Sequence, residues 1–301
     1  MHQYNQTPAS VVKIEDRTIA MFEIRDDENI DTITVKSFGD EWNQFDRFNI
    51  SEIESAANEY FDIVPQNLLN EKTHVLDLGC GSGRWSLFLA DRVESIESID
   101  PSNSVFGASK LLSKKKNVRV SQASVSNIPF EDGTFDFLLC LGVLHHIPNT
   151  QEALTSAAKK IKPGGYALLY FYYNLDNRNY LYKIIFGITD LIRRIISKLP
   201  GRLKRISCDL IAVFIYLPMI AFSRFIKSIL PKSNASQKIP LSYYINKPWK
   251  IIRNDALDRF GTPLEQRFSK KEIAEMLAKA GFGHVEFSNN MPYWHCLAKK
   301  V

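Results

Sequence analysis

From residue 73 to residue 173, short apolar runs alternate with stretches of helical periodicity. The first run, V-L-D-L (75–78), opens into the turn Gly79-Cys80-Gly81-Ser82-Gly83. A second, within E-S-I-E-S-I-D-P-S (94–102), ends on Asp100. A third covers 118–121, and a fourth, 135–147, closes on the pair His145-His146. Residues 150–161 read as a helix stopped by Lys162-Pro163-Gly164-Gly165, and 166–173 give a fifth strand. Strands and helices taking turns at this spacing predict an α/β fold with parallel strands and crossover helices. Near the end, Ser269-x-x-Glu272 is a capping box for a helix over 270–280 that Gly281 stops. Residues 285–288 and 293–299 then read as a closing strand pair.

Two segments fall outside this rhythm. Residues 1–70 hold short alternating stretches at 11–24 and 32–35 around an acidic turn, Arg25-Asp26-Asp27-Glu28-Asn29. The aromatic-dense S-F-G-D-E-W-N-Q-F-D-R-F (37–48) follows. Residues 174–268 insert 95 residues where a connection of a few would serve. Hydrophobics recur at helical spacing along 183–199, and 210–222 runs thirteen residues without a charge. That run is shorter than the about 20 residues a bilayer span requires. The chain thus divides into an arm (1–70), a core (71–173), a helical basic insertion (174–268) and a closing helix with strands (269–301).

Charge sharpens the picture of the insertion. Residues 178–232 carry eleven Lys/Arg against two Asp, a net of +9, whereas the whole chain is only +5. Basic charge on an amphipathic helix pair suits an anionic membrane surface. A hydrophobic dimer interface, a cap over an active site and nucleic-acid binding are the competing readings. The last is disfavoured, because stacking modules interleave aromatics with the basic residues. Elsewhere composition is ordinary, at 45% hydrophobic and 24% charged, and 301 residues suit one enlarged domain. Cys80, Cys140, Cys208 and Cys296 include no C-x-x-C pair, so neither a metal site nor a disulfide framework is expected. With no apolar signal-peptide core near Met1, a reducing cytoplasmic setting is expected.

Chemistry concentrates at the first turn. Glycines let the chain leave a strand sharply and let a ligand approach the main chain. Asp77 at that turn would repel a pyrophosphate, and Arg84 stands where a dinucleotide fingerprint needs its third glycine. The acid suits a phosphate-free nucleoside with a cationic head, which S-adenosylmethionine is. Asp100 follows at the distance that puts a carboxylate beside a ribose. Both acids could also serve simply as helix caps.

The ordered runs V-L-D-L-G-C-G-S-G-R-W, S-I-D-P-S, N-I-P-F-E-D-G-T-F-D, G-V-L-H-H-I and I-K-P-G-G-Y-A-L-L resemble the motifs of class I S-adenosylmethionine-dependent methyltransferases. The resemblance implies a doubly wound, mostly parallel seven-stranded Rossmann-like sheet with an antiparallel last strand. It implies that Asp77, Gly79, Cys80 and Gly81 meet the methionine end of the donor. Asp100 with Pro101 would meet the ribose, Ser124 and Val125 the adenine, and Leu141 the pocket wall. Many relatives have an aspartate where Ser124 stands. Trp42 and Phe45 are candidates for an aromatic lid over the sulfonium. Tyr172, Asn174 and Arg259 are candidate acceptor contacts, and no metal is expected. A hydroxyl acceptor needs a base, for which His146 is preferred over His145.

The sequence is therefore read as an S-adenosylmethionine-dependent methyltransferase of a small molecule, sugar or lipid-linked glycan, by O-methylation. It would visit the inner membrane face from the cytoplasm, and the insertion could also mediate an oligomer. An RNA-modifying methyltransferase and a non-catalytic donor-binding module are the rivals.

Overall fold

A computed structural model describes residues 1–301 apart from 26–27, 43–49, 232, 234 and 237–238, together with the side chains of 40–42 and 181. The chain forms two compact units, Met1–Asn177 with Leu264–Val301, and Arg178–Pro263.

The first unit is built on one sheet. Its core strands are β3 (His74–Leu78), β4 (Ser95–Asp100), β5 (Val118–Gln122), β6 (Phe135–Leu141) and β7 (Ile161–Tyr170), all parallel. Strands β8 (Phe282–Phe287) and β9 (His295–Lys300) complete the far edge, with β9 antiparallel to both β7 and β8. Near-continuous apolar runs such as F-D-F-L-L-C-L in β6 are what a sheet covered on both faces demands. One face buries Leu76, Leu138 and Phe171, the other Val75, Phe137 and Leu139, as alternation along a strand requires.

The sheet exceeds the expected seven strands. Among the described residues it has nine, in the order β1-β2-β5-β4-β3-β6-β7-β9-β8. The extra pair is the hairpin β1 (Ser10–Ile14) and β2 (Arg17–Met21), whose second strand runs parallel to β5. The start of the arm therefore extends the sheet edge, which the alternation over 11–24 allowed but did not locate. Residues 32–35 look alternating, yet they open the helix α1 (Thr32–Trp42), capped by Asp31 Oδ1, which accepts from the Thr34 amide. Helix α2 (Ile50–Tyr60) follows.

Two further boundaries move. The fourth strand ends at Leu141, and the two histidines sit in a 3-10 turn, Leu144–His146, beyond Gly142 at φ +80°. The fifth begins at Ile161, which pairs with Phe135 of β6 before a register shift leads to the Phe137–Tyr166 pair. Helices α3 (Arg84–Leu89), α4 (Ser104–Leu111) and α5 (Thr150–Lys159) are the crossovers.

The second unit is helical: α6 (Tyr180–Ile196), α7 (Gly201–Ile211), α8 (Leu217–Ile229) and α9 (Trp249–Gly261). A π-helical turn, Ala212–Tyr216, joins α7 to α8 without a break. The uncharged run 210–222 is thus part of a 29-residue helix, Gly201–Ile229, long and apolar enough to cross a membrane by length and composition. This revises the expectation of a segment too short to span. Cys208, Ala212, Tyr216 and Ile220 recur every four residues and pack on Ile252, Ala256 and Phe260 of α9. The last helix of the chain, α10 (Lys270–Lys279), returns to the first unit and carries the expected capping box between Ser269 and Glu272.

Candidate functional site

The turn after β3 hangs from the end of β4. The amides of Gly79 and Cys80 both donate to Ile99 O, at 2.8 and 3.0 Å, and that of Gly81 to Asp100 Oδ2 at 2.9 Å. Gly79, Gly81 and Gly83 all have positive φ, the region that favours glycine. A Cβ on Gly79 would stand 2.4 Å from Val143 Cγ2, so the turn lies hard against the loop after β6. Ser82 Oγ is buried within this turn without a partner among the described residues.

Asp100 accepts more than a ribose contact alone would require. Besides Gly81, its Oδ1 takes the Ser102 amide at 2.8 Å and Ser102 Oγ at 2.6 Å. It therefore builds the turn as well as facing it, and a carboxylate has about four acceptor positions. Pro101 accepts from Gln122 Nε2 through its carbonyl.

Asp77 lies beneath the turn rather than at its mouth, 2% exposed, with Oδ2 accepting from Ser86 Oγ at 2.6 Å. Ser98 Oγ joins the same Ser86 hydroxyl at 2.7 Å. Burial pushes the Asp77 carboxyl up to about 7, the Ser86 bond opposes this and the nearby Asp100 reinforces it. Since the folded state holds this proton more tightly than the unfolded chain, the group's stabilising effect is full only below the ordinary value of 3.8. It is lost as pH rises through about 7. A cation bound above the turn favours the ionised form. Donor binding is thus expected to release a fraction of a proton at pH 6.5 and none at pH 8.5. Calorimetry in buffers of different ionisation enthalpy measures this, and Asp77→Asn abolishes the difference. Cys80 is buried, and burial raises its thiol well above the ordinary range, so it stays a protonated thiol and not a nucleophile. Leu141 lines the end of β6, half-buried.

The two histidines hold opposite tautomers. His145 is fully buried and stacked on Tyr172 with ring centroids 3.9 Å apart. Its Nδ1 accepts the Tyr172 amide at 3.3 Å, which puts the proton on Nε2, a buried atom with no partner among the described residues. Burial, then the neighbouring His146 and Arg267, holds its pKa well below the ordinary value, so it stays neutral. His146 is 7% exposed, and its Nδ1 lies 2.7 Å from Leu264 O, a group that only accepts. Its proton therefore sits on Nδ1 and the basic lone pair on Nε2. Phe38 of α1 packs 4.8 Å from its ring.

The acceptor candidates divide. Tyr172 covers His145, and the Arg267 guanidinium lies 5.0 Å over its ring. Asn174 is exposed, with its Oδ1 accepting from the Asp176 amide. Arg259 belongs to the helical unit, where it lies over Phe186 and donates to Thr189. Phe45 and the Trp42 side chain lie outside the described residues.

Sequence reading missed Glu28. Ser124 is buried, and its Oγ donates to Glu28 Oε2 at 2.6 Å. The acidic turn 25–29 looked like a mere separator, and no local pattern links it to β5. Val125 is also buried, in the short 3-10 turn after Ser124.

These groups fit a cationic nucleoside: a glycine cradle closed by Val143, a Ser82 hydroxyl orphaned among the described residues, and two buried acids. Seven strands ordered β5-β4-β3-β6-β7-β9-β8 with β9 reversed, headed by such a turn, define a class I S-adenosylmethionine-dependent methyltransferase domain. Residues 76–169 match the family described as a methyltransferase domain. A ubiquinone biosynthesis O-methyltransferase of Dechloromonas aromatica is 33% identical over 127 residues, covering 41% of this chain and 54% of that protein. One from Coxiella burnetii is 31% identical over 124 residues, covering 40% and 53%. A sterol 4-C-methyltransferase of Caenorhabditis elegans is 29% identical over 129 residues, covering 41% and 39%. The chain spans about half the length of the first two relatives. Among solved structures, a methyltransferase from Aquifex aeolicus is similar at 16% identity and a TM-score of 0.43, covering 84% of this chain and 98% of that one. One from Methanosarcina mazei is similar at 17% and 0.45, covering 78% and 95%.

Proposed function

We propose that this protein transfers a methyl group from S-adenosylmethionine to a hydroxyl of a small, lipid-linked or glycan acceptor that it meets at the inner, cytoplasmic face of a membrane. When bound, the donor supplies a methyl already activated on sulfur. The chain's part is to hold it with the glycine turn, Asp77 and Asp100, and to take the acceptor proton on His146 Nε2 while Nδ1–H stays on Leu264 O. "O-methyltransferase" in the names of two relatives supports a hydroxyl acceptor. Four buried, free cysteines suit a reducing compartment.

The observation that carries the membrane reading is an apolar stripe left exposed on a basic unit. On α6, Ile184, Ile188, Leu191 and Ile195 follow the 4-3-4 spacing of one helix face, and Leu191 is 62% exposed. On the long helix, Leu203, Ile206, Leu210, Phe214 and Leu217 recur at 3-4-4-3 spacing and are likewise exposed, with Phe214 at 71%. Residues 178–263 carry sixteen Lys/Arg against four Asp, a net of +12, leaving −7 for the rest of the chain. Exposed apolar faces this long mark an interaction surface, and flanking cations favour anionic headgroups.

The long helix is read as lying in the interface. Its inner face is packed on α9, which carries Lys250, Arg253, Asp255, Asp258 and Arg259, and Asp209 is held by Arg253 through bonds of 2.6 and 2.7 Å. Crossing the bilayer would draw those charges into hydrocarbon, at several kcal/mol each by order of magnitude.

Flotation of the full chain tests this. Binding is expected to vesicles of phosphatidylcholine with phosphatidylglycerol, and not to phosphatidylcholine alone. It should weaken as salt rises, and Ile188→Glu with Leu191→Glu should abolish it. Labelled donor added to an extract should mark the lipid fraction. No vesicle binding at low salt, or label confined to nucleic acid, overturns the proposal.

A further inference from the structure

Strand ends at the head of the sheet lie in the order β5, β4, β3, with Asp100 opposite Gln122 in register. A nucleoside whose tail meets the turn after β3, and whose ribose meets Asp100 on β4, carries its base on towards the end of β5. At that end stands Ser124, 2% exposed, with its hydroxyl on the Glu28 carboxylate.

Glu28 is delivered there by the sheet itself. Strand β2 runs parallel to β5, pairing Ala20 with Ser121 and Met21 with Gln122, so the chain leaves it at the same edge. Phe22 extends the contact, its amide donating to Gln122 O at 2.9 Å. On the other side of Glu28, Asn29 and Asn149 exchange two hydrogen bonds of 2.7 Å. The carboxylate is thus anchored from both flanks, and its side chain is only 11% exposed. Its ion-pair partner, Arg25, stands at 3.9 Å with a side chain 63% exposed, which is weak compensation for an acid so enclosed.

We infer that Glu28 accepts a hydrogen bond from the exocyclic amino group of the donor's adenine, with Ser124 aiming its carboxylate. An ionised carboxylate only accepts. Adenine presents an N–H donor at the position where hypoxanthine presents a carbonyl oxygen. Glu28 therefore both strengthens donor binding and selects adenosine over inosine. Ser124 has no carboxylate of its own, and the arm brings one to it from 96 residues earlier in the chain. This rests on the core being an S-adenosylmethionine site.

Calorimetry with S-adenosylhomocysteine and its deaminated analogue S-inosylhomocysteine, on the full chain, tests the assignment. Wild type is expected to prefer the adenosine compound. Glu28→Ala should weaken that compound by about tenfold to a hundredfold, the range for hydrogen bonds to charged groups, and leave the inosine compound bound as well as before or more tightly. Glu28→Ala with Ser124→Asp should restore the preference, by placing an acid just beyond the end of β5. Equal loss for both ligands would make Glu28 a structural latch on the arm and overturn the inference, as would an unchanged preference. Binding of neither ligand by wild type would instead sink the donor assignment itself, and this inference with it.

Discussion

Gly79→Ala is expected to cost the protein its donor site, with affinity for S-adenosylhomocysteine falling at least a hundredfold. Two effects combine. At φ +75° an alanine is in the left-handed region, a penalty of about 1–3 kcal/mol. Its Cβ would also lie 2.4 and 2.7 Å from the two methyls of Val143 and 3.1 Å from its Cβ. A β-branched side chain has few other rotamers to adopt, and overpacking of this kind costs about 1–3 kcal/mol more. The turn has to lift, and the Gly79 and Cys80 amides then lose Ile99 O. Thermal melting and calorimetry separate the parts. Gly133→Ala, at φ +63° with nothing within 4 Å, bears the backbone penalty alone and should leave donor binding intact. Val143→Ala in the Gly79→Ala background should recover the packing share. Near-normal donor affinity in Gly79→Ala would mean that the turn is not the site.

Asp100→Ala should be nearly as damaging, through a different route. It leaves the buried Gly81 and Ser102 amides without their acceptor, whereas the Ser102 hydroxyl can still donate to Ser104 Oγ at 2.8 Å. Buried groups stripped of partners cost about 1–3 kcal/mol each. A loss of several kcal/mol in stability is therefore expected, along with about a hundredfold in donor affinity. Asp100→Asn discriminates between the two duties of this side chain. Its oxygen can keep Ser102, but its amide nitrogen meets the Gly81 N–H donor to donor, so the turn is disturbed while the loop after β4 survives. The expected result is intermediate stability with donor affinity still strongly reduced. Donor binding within threefold of wild type in Asp100→Ala would show that the donor needs neither the carboxylate nor the turn geometry it holds.

Much of the core was legible because its causes are local. Glycines after a strand, an acid at its end, and a capping box before an apolar period each impose a conformation on a few neighbouring residues. The strands from Val75 onwards and α10 came out close to where the pattern put them. Legibility failed where long-range pairing decided. The stretch 32–35 alternates, yet it became helix because Asp31 capped it and α1 packs Phe38 on His146. The histidines left the strand because Gly142, at positive φ, turns the chain before them.

What this sequence determines by itself is a chemistry written in contiguous residues: a parallel sheet, a glycine turn guarded by acids, and an insertion both basic and apolar. What only the tertiary structure decided depends on residues far apart in the chain. It placed β2 beside β5 and so brought Glu28 to Ser124, sank Asp77 beneath the turn, and gave adjacent histidines opposite tautomers. The physical reason is that backbone conformation follows from near neighbours, whereas burial and hydrogen-bond partnership are set by whatever the fold lays alongside.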